Sequence, residues 1–114
     1  PSNIGWLVSP KVTLDAGLKN YLSFESQFAY WSGSALQVYI LTSYDGSSPW
    51  SATKTELTNA RIVAQADGQN KWVKSGWVDL SAYSGDVYIA FKYSGGGSNT
   101  TAFRIDDVGV FTIN

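Results

Sequence analysis

Two aspartates stand side by side in FRIDDVGVF, residues 103–111, a run whose apolar residues otherwise read as a strand. Neighbouring carboxylates repel, and burying either is costly unless a positive charge or hydrogen-bond donors compensate. Glu25 poses the same problem in YLSFESQF (21–28), where Leu22, Phe24 and Phe28 alternate with polar residues. Glu25 and Asp106 each lie within an apolar alternation, in segments that could be neighbouring strands. Two carboxylates from separate strands, with loop carbonyls, suit a calcium ion, which takes roughly six to eight oxygen ligands. The chemistry expected of Glu25 and Asp106 is therefore structural calcium binding. Other outcomes stay open. Side chains alternate along a regular strand, so one of Asp106 and Asp107 should point outward. The other could pair with Arg104 or Lys92, or accept backbone N–H groups at a bulge.

Aromatic residues offer a second chemistry. Sugar rings stack on exposed aromatic faces, while carboxylates and amides read their hydroxyls. Trp31 in YWSGS and Trp50 in SSPWS sit in polar, turn-rich sequence, and Tyr44 adjoins Asp45 in SYDGS. Trp31, Tyr44, Asp45 and Trp50 could together form a ligand-binding platform at the loop end of the fold. Tyr39 and Tyr88 offer a rival platform on an outer sheet face. Trp6, Trp72 and Trp77 lie in extended apolar runs and are expected to pack in the core or between strands.

Catalysis is not expected. The chain has no His and no Cys, which removes the commonest general base and the thiol nucleophile. Only carboxylate pairs remain, as in glycoside hydrolysis. Asp106 and Asp107 would face opposite ways, which is wrong for flanking a bond. Asp15, Asp67, Asp79 and Asp86 adjoin turns, where such side chains bond the backbone. The run SGGGS (94–98) lacks the strand, helix and Lys of a phosphate cradle and reads as a loop.

A net charge of −1 gives no electrostatic draw towards nucleic acid or an anionic membrane. No run is apolar for long enough to insert in a bilayer as a helix. Charged residues make up only 15% and aromatics another 15%, a balance that suits a β-rich extracellular module, secreted or at the cell surface. The absence of Met suggests a domain taken from a larger protein, and 114 residues suit a single domain, 1–114.

The elements that must position these residues are strands. Apolar alternation bounded by Gly, Ser, Asn and Asp recurs every 8–12 residues or so. GWLVSPKVTL (5–14) gives two extended pieces broken by Pro10. Residues 21–31 put Leu22, Phe24, Phe28 and Tyr30 on one face. Residues 35–44 put Leu36, Val38 and Ile40 on one face, with Tyr39 and Leu41 on the other. ELTNARIVA (56–64) could be strand or irregular, ADGQNK (66–71) turns, and WVKSGWVDL (72–80) is extended. VYIAFKY (87–93) alternates cleanly, and a last strand runs from about Thr101 to Ile113. Seven to nine short strands of this kind make a sandwich or jelly roll.

The ordered phrases GWLVSPKVTL, YLSFES, LQVYILTSYDG, GWVDLSAYSGDVYIAFKY and FRIDDVGVF resemble the choice-of-anchor J and cleaved-adhesin domains of Bacteroidetes surface proteins. These are similar in turn to MAM and galactose-binding-like domains. The resemblance implies an all-β, galactose-binding-domain-like jelly-roll sandwich that accompanies enzymes or lipoproteins and binds glycans or host proteins. It also implies that the Asp of the terminal IDDV phrase, Asp106, is a typical calcium ligand of related jelly rolls. Members often begin with one further strand ahead of the WL-SP motif, whose absence would expose a sheet edge. The alternative it implies is a structural domain, without its own ligand, that packs against a neighbouring domain of the same polypeptide.

Overall fold

The structure, a computed structural model, describes residues 2–30, 35–96 and 102–113. Among the described residues, nine strands form two antiparallel sheets that pack face to face as a β-sandwich. The first sheet contains β1 (Ser2–Val8), β2 (Val12–Leu14), β4 (Ala35–Ser43), β5 (Thr53–Glu56) and β8 (Gly85–Gly96). The second contains β3 (Lys19–Ala29), β6 (Val73–Lys74), β7 (Val78–Asp79) and β9 (Ala102–Ile113).

In the first sheet β8 is central. It pairs with β4 on one side and with β1 and β2 on the other. Pro10 separates β1 from β2 because it has no N–H to give the ladder. Ser9 repairs the break: its N–H donates to Ile89 O at 2.8 Å, and its Oγ accepts the Ile89 N–H at 3.0 Å. In the second sheet β3 is central, with β9 along one side and the short β6 and β7 along the other.

The core lies between the sheets. Leu22, Phe24 and Val78 face Val38, Ile40, Val87, Ile89 and Phe91, with Leu14, Leu57 and Leu80 closing the ends. Phe24 and Phe91 meet edge to face, ring centroids 5.0 Å apart. A smaller cluster of Phe28, Val63 and Val73 packs with Phe103. The alternations expected for 21–29, 35–43 and 87–93 all turn their apolar residues inward.

Three expectations change. Tyr30 was expected on the apolar face of its strand, but it stands at φ +54, beyond the end of β3, and is 77% exposed. The single residue in left-handed backbone swings its side chain out of the alternation. Residues 94–96, expected in a loop, are strand instead, because β8 pairs with β1 as far as Gly96. The run 72–80 is not one continuous strand. Its two paired segments are separated by Ser75, Gly76 and Trp77, with Gly76 at φ +78.

Strand β9 carries the irregularity that matters most. Ser23 pairs with Gly109 and Glu25 with Asp106, so Phe24 alone opposes Asp107 and Val108. This is a β-bulge, and Asp107 adopts φ +53 within it. Asp and Asn tolerate that backbone region better than most residues. The extra residue reverses the alternation. Arg104 and Asp106 on one side of the bulge share the outer sheet face with Gly109 and Phe111 on the other, while Ile105 and Val110 pack towards the core.

Candidate functional site

The outer face of the second sheet gathers the groups with chemical potential. Ser23 and Glu25 of β3, Asp107 and Phe111 of β9, Lys74 of β6, and Gly76 and Trp77 line a depression of about 360 Å³. Trp77 reaches it because Ser75 and Gly76 interrupt the β6–β7 edge. Ser75 stays paired to β3: its N–H donates to Phe24 O at 2.9 Å, and its Oγ accepts the Phe24 N–H at 2.9 Å. The positive φ of Gly76, which only glycine adopts freely, turns the chain so that the indole projects from the sheet.

The indole is 66% exposed and Phe111 is 47% exposed. Their rings meet edge-on at 5.5 Å, and Trp77 meets Tyr21 edge-on at 6.3 Å. Gly109 makes room for this arrangement. A Cβ there would lie 2.8 Å from Phe111 Cζ, so the ring folds over the glycine backbone. Edge-to-face contacts hold the trio in a defined geometry while leaving ring surface to solvent. Of the two placements expected for Trp77, in the core or between strands, the structure shows the second: it packs laterally against Tyr21 of β3 and Phe111 of β9, on the outer face. Trp72 is also exposed, whereas Trp6 is half-buried.

The acidic groups sit beside the aromatic trio. Glu25 and Asp107 line the depression together, and interaction with the Asp107 carboxyl is the chief reason the Glu25 pKa lies above the usual 4.5. Desolvation and the charges of Asp107 and Asp106 push the same way, against the ammonium of Lys74. The partner of Glu25 is thus Asp107. Asp106 lies opposite Glu25 in the register but is exposed, and its Oδ1 accepts the Asp107 N–H at 2.8 Å. Arg104 donates to Gln27 Oε1 at 2.7 Å, and Lys92 lies 5.6 Å over the Trp6 ring, so neither is the cation that compensates the doublet.

A measurable pH dependence follows. A carboxyl whose native pKa is raised keeps its proton in the folded state at a pH where the unfolded chain has lost it. Stability is then fullest below the ordinary carboxylate range and declines as pH rises through the raised native value. Glu25→Gln removes the repulsion with Asp107. The variant is expected to melt at a higher temperature than the parent at neutral pH, with the gap closing towards about pH 4. Thermal melts across that range are the check, and a gap that did not change with pH would contradict the raised pKa of Glu25.

The expected calcium set of Glu25 and Asp106 can be tested on its donors. Among the described residues, no three His, Cys, Asp or Glu side chains converge to hold a metal ion. Glu25 and Asp107 form the acidic pair, with Lys74 alongside. Two carboxyls next to an ammonium on an open sheet face do not fit an ion that takes roughly six to eight oxygens.

Among the described residues, Tyr44, Asp45 and Trp50 do not line one recess together. Trp50 is 65% exposed on a single 3₁₀ turn, Pro49–Ser51. Tyr44 packs edge-on against Tyr88, centroids 4.9 Å apart. The carboxylate of Asp45 accepts the Ser47 N–H at 2.9 Å and its hydroxyl at 2.7 Å, bonds that hold its pKa below the usual value. Asp45 with Ser43, Ser48 and Ser51 lines a small polar recess without either aromatic. Trp31 lies outside the described residues. On the first sheet's outer face Tyr39 packs 5.6 Å from Trp6, which also carries Lys54 and Lys92 over its ring. That face is covered by its own side chains, with Leu41 and Ala90 fully buried.

The sequence reading missed Asp107, Phe111 and Trp77 as a group. Two signals were present: Gly76 directly before a Trp in an otherwise extended run, and Gly109 two residues before Phe111, on the same strand face. Fold and site define the chain as an antiparallel β-sandwich with an aromatic and acidic depression on one outer face. No family model matches the chain, and no curated protein matches it.

Proposed function

We propose that this domain is a non-catalytic carbohydrate-binding module, acting in a secreted or cell-surface protein, with its ligand on the outer face of the β3 sheet. The observation that carries the reading is the solvent-facing trio of Trp77, Phe111 and Tyr21 beside the Glu25–Asp107 pair. Large exposed rings held rigidly next to hydrogen-bonding groups are the ingredients of sugar recognition: ring faces take the C–H surface, and carboxylates take hydroxyls. The depression is shallow and open, which suits an oligosaccharide lying across it.

A jelly-roll topology like that of choice-of-anchor J and cleaved-adhesin domains is part of the proposal. Its support is the connectivity. The chain crosses between sheets after β2, β3, β5, β7 and β8, and every paired strand is antiparallel. Calcium is not part of the reading, because the donor set does not fit it. The melting temperature in EDTA is expected to match that in millimolar calcium within about 1 °C. A rise of several degrees with calcium would restore the metal.

The experiment for the main reading is an oligosaccharide array, followed by titration calorimetry on any hit. The parent domain and Trp50→Ala should bind alike, and Trp77→Ala should lose binding. Binding lost in Trp50→Ala but kept in Trp77→Ala would move the ligand to the loop end.

A second reading has its own observation. Between the free edges of β1 and β9 lies an apolar cleft of about 560 Å³, lined by Leu7, Val12, Phe91, Val108 and Val110 among others. Leu7 and Val108 are exposed there, and such a patch suits docking against another domain or a host protein. A Leu7→Ser variant that kept sugar binding but lost association with the rest of its polypeptide would favour that role.

A further inference from the structure

We propose that β1 is a self-association edge: two copies of this domain pair β1 against β1, antiparallel about Gly5, and join their first sheets into one. Sugar binding on the outer face of the β3 sheet is neither required for this pairing nor used by it.

The outermost strands of a sandwich carry unpaired N–H and C=O groups, and proteins guard them with charges, proline, bulges or brevity. The other edges here are guarded. Strand β5 carries Lys54 and Glu56 within four residues, β6 and β7 are two residues each, and β9 carries Arg104, Asp106 and the bulge at Asp107. Strand β1 has no guard. Its seven residues, SNIGWLV, contain neither charge nor proline. Among the described residues it pairs only with β8, and its Ile4 and Leu7 are 59% and 61% exposed.

Alternation fixes which backbone groups are free. In an antiparallel ladder, every second residue turns both its N–H and its C=O to the same neighbour. Ser9 donates its N–H to Ile89 O, so Leu7 and Gly5, in steps of two, face β8. Val8, Trp6 and Ile4 then present their backbone groups at the open edge. The strand that satisfies them must be extended and suited to apolar neighbours.

Strand β1 of a second copy fits on both counts. With Gly5 on a two-fold axis, Ile4 lies opposite Trp6 of the second copy, and Trp6 opposite its Ile4. All of these residues are edge-facing, so each pair exchanges both N–H···O bonds. Their side chains share the outer face of the first sheet. There the exposed Ile4 covers a half-buried indole that Tyr39 holds in place. An aromatic across from a β-branched residue is a favourable cross-strand pair. Gly5 meets its own copy at a non-hydrogen-bonded position, where the two chains come closest. The contact uses the same patch on both copies, so it closes at a dimer and does not propagate. A foreign strand would gain the backbone bonds without the reciprocal cover of Ile4 and Trp6.

A single strand-to-strand contact falls below the roughly 1,200 Å² of stable complexes, so a dimer with a Kd of about 100 μM is expected. Sedimentation equilibrium over a concentration series spanning that value measures it. Ile4→Lys sets a charge on each side of the axis and is expected to weaken association about tenfold or more. Ile4→Pro removes an edge-facing N–H, leaves the β8 ladder whole and should act likewise. Thr55→Lys adds the same charge on the β5 edge and should associate as the parent does. Melting curves control for folding, which exposed Ile4 affects little. Gly5→Cys reports the register. The chain has no Cys, a Cβ on Gly5 meets no heavy atom within 4 Å, and Cα atoms about 4.5 Å apart can carry a disulfide. Oxidised glutathione should convert this variant to a covalent dimer and leave Thr55→Cys mostly monomeric.

A parent that stays monomeric up to about 1 mM would overturn the inference and leave the edge to a strand of a different chain. A dimer that survives both Ile4 substitutions, or that Gly5→Cys fails to crosslink, would put the contact elsewhere and overturn it as well. None of these results alters the test of the carbohydrate reading.

Discussion

Replacing Phe24 by Ala is expected to lower stability by about 3–5 kcal/mol, the largest loss from any single truncation considered for this fold. Phe24 is fully buried on the central strand β3. Its ring meets Phe91 from the opposite sheet at 5.0 Å, so it ties the two layers together. The loss has two parts: the transfer of a large apolar side chain, and a cavity that neighbours held by sheet ladders on both sides cannot collapse to fill. A domain of this size has roughly 5–15 kcal/mol in total, so the variant should be near its folding limit. Urea denaturation should show a midpoint well below the parent's with an unchanged slope. The milder Phe24→Leu is expected to lose about half as much or less. A fall below about 1 kcal/mol for Phe24→Ala would mean that the two sheets are not packed through this ring.

Replacing Trp77 by Ala is expected to have the opposite profile, a small effect on folding and a large one on binding. The indole is mostly exposed and touches Tyr21 and Phe111 only at ring edges. Losing such contacts costs stability on the order of 1 kcal/mol. Binding energy, by contrast, concentrates in a few aromatic anchors, and truncating one costs about 2 kcal/mol or more, roughly 30-fold in Kd. Calorimetry on a sugar found by array screening would measure this, with melting curves as the folding control. A Kd within about twofold of the parent's would remove Trp77 from the proposed surface and reassign it to sheet packing.

These two residues show how legible the chain was. Phe24 was readable from YLSFESQF, because a period-2 alternation in a run of that length can bury only one face. The same rule placed Val38, Ile40, Ile89 and Phe91 without knowledge of their partners. The break at Pro10 was readable too, since proline cannot donate to a ladder. Trp77 was not readable in this way. A Trp in an apolar run could pack in the core or between strands, and only the turn at Gly76 decides that it stands on the outer face.

The acidic doublet marks the boundary between the two kinds of information. Asp106 and Asp107 announced in sequence that something had to relieve their repulsion, and a bulge was one of the answers open from the start. Which carboxyl meets Glu25 depends on a single inserted residue. In a regular strand Asp107 would have faced away from Asp106, but the bulge opposite Phe24 reverses the alternation and brings Asp107, Phe111 and Glu25 onto one face. Strand register and local backbone conformation are set by the packing of β9 against β3 over its whole length, not by the residues next to the bulge. Patterning along the chain therefore determined the all-β class, the strands and most of the buried face. The site was decided only when distant strands came into register, because it draws on three separate segments, around residues 21–25, 74–77 and 107–111, and no local rule couples them.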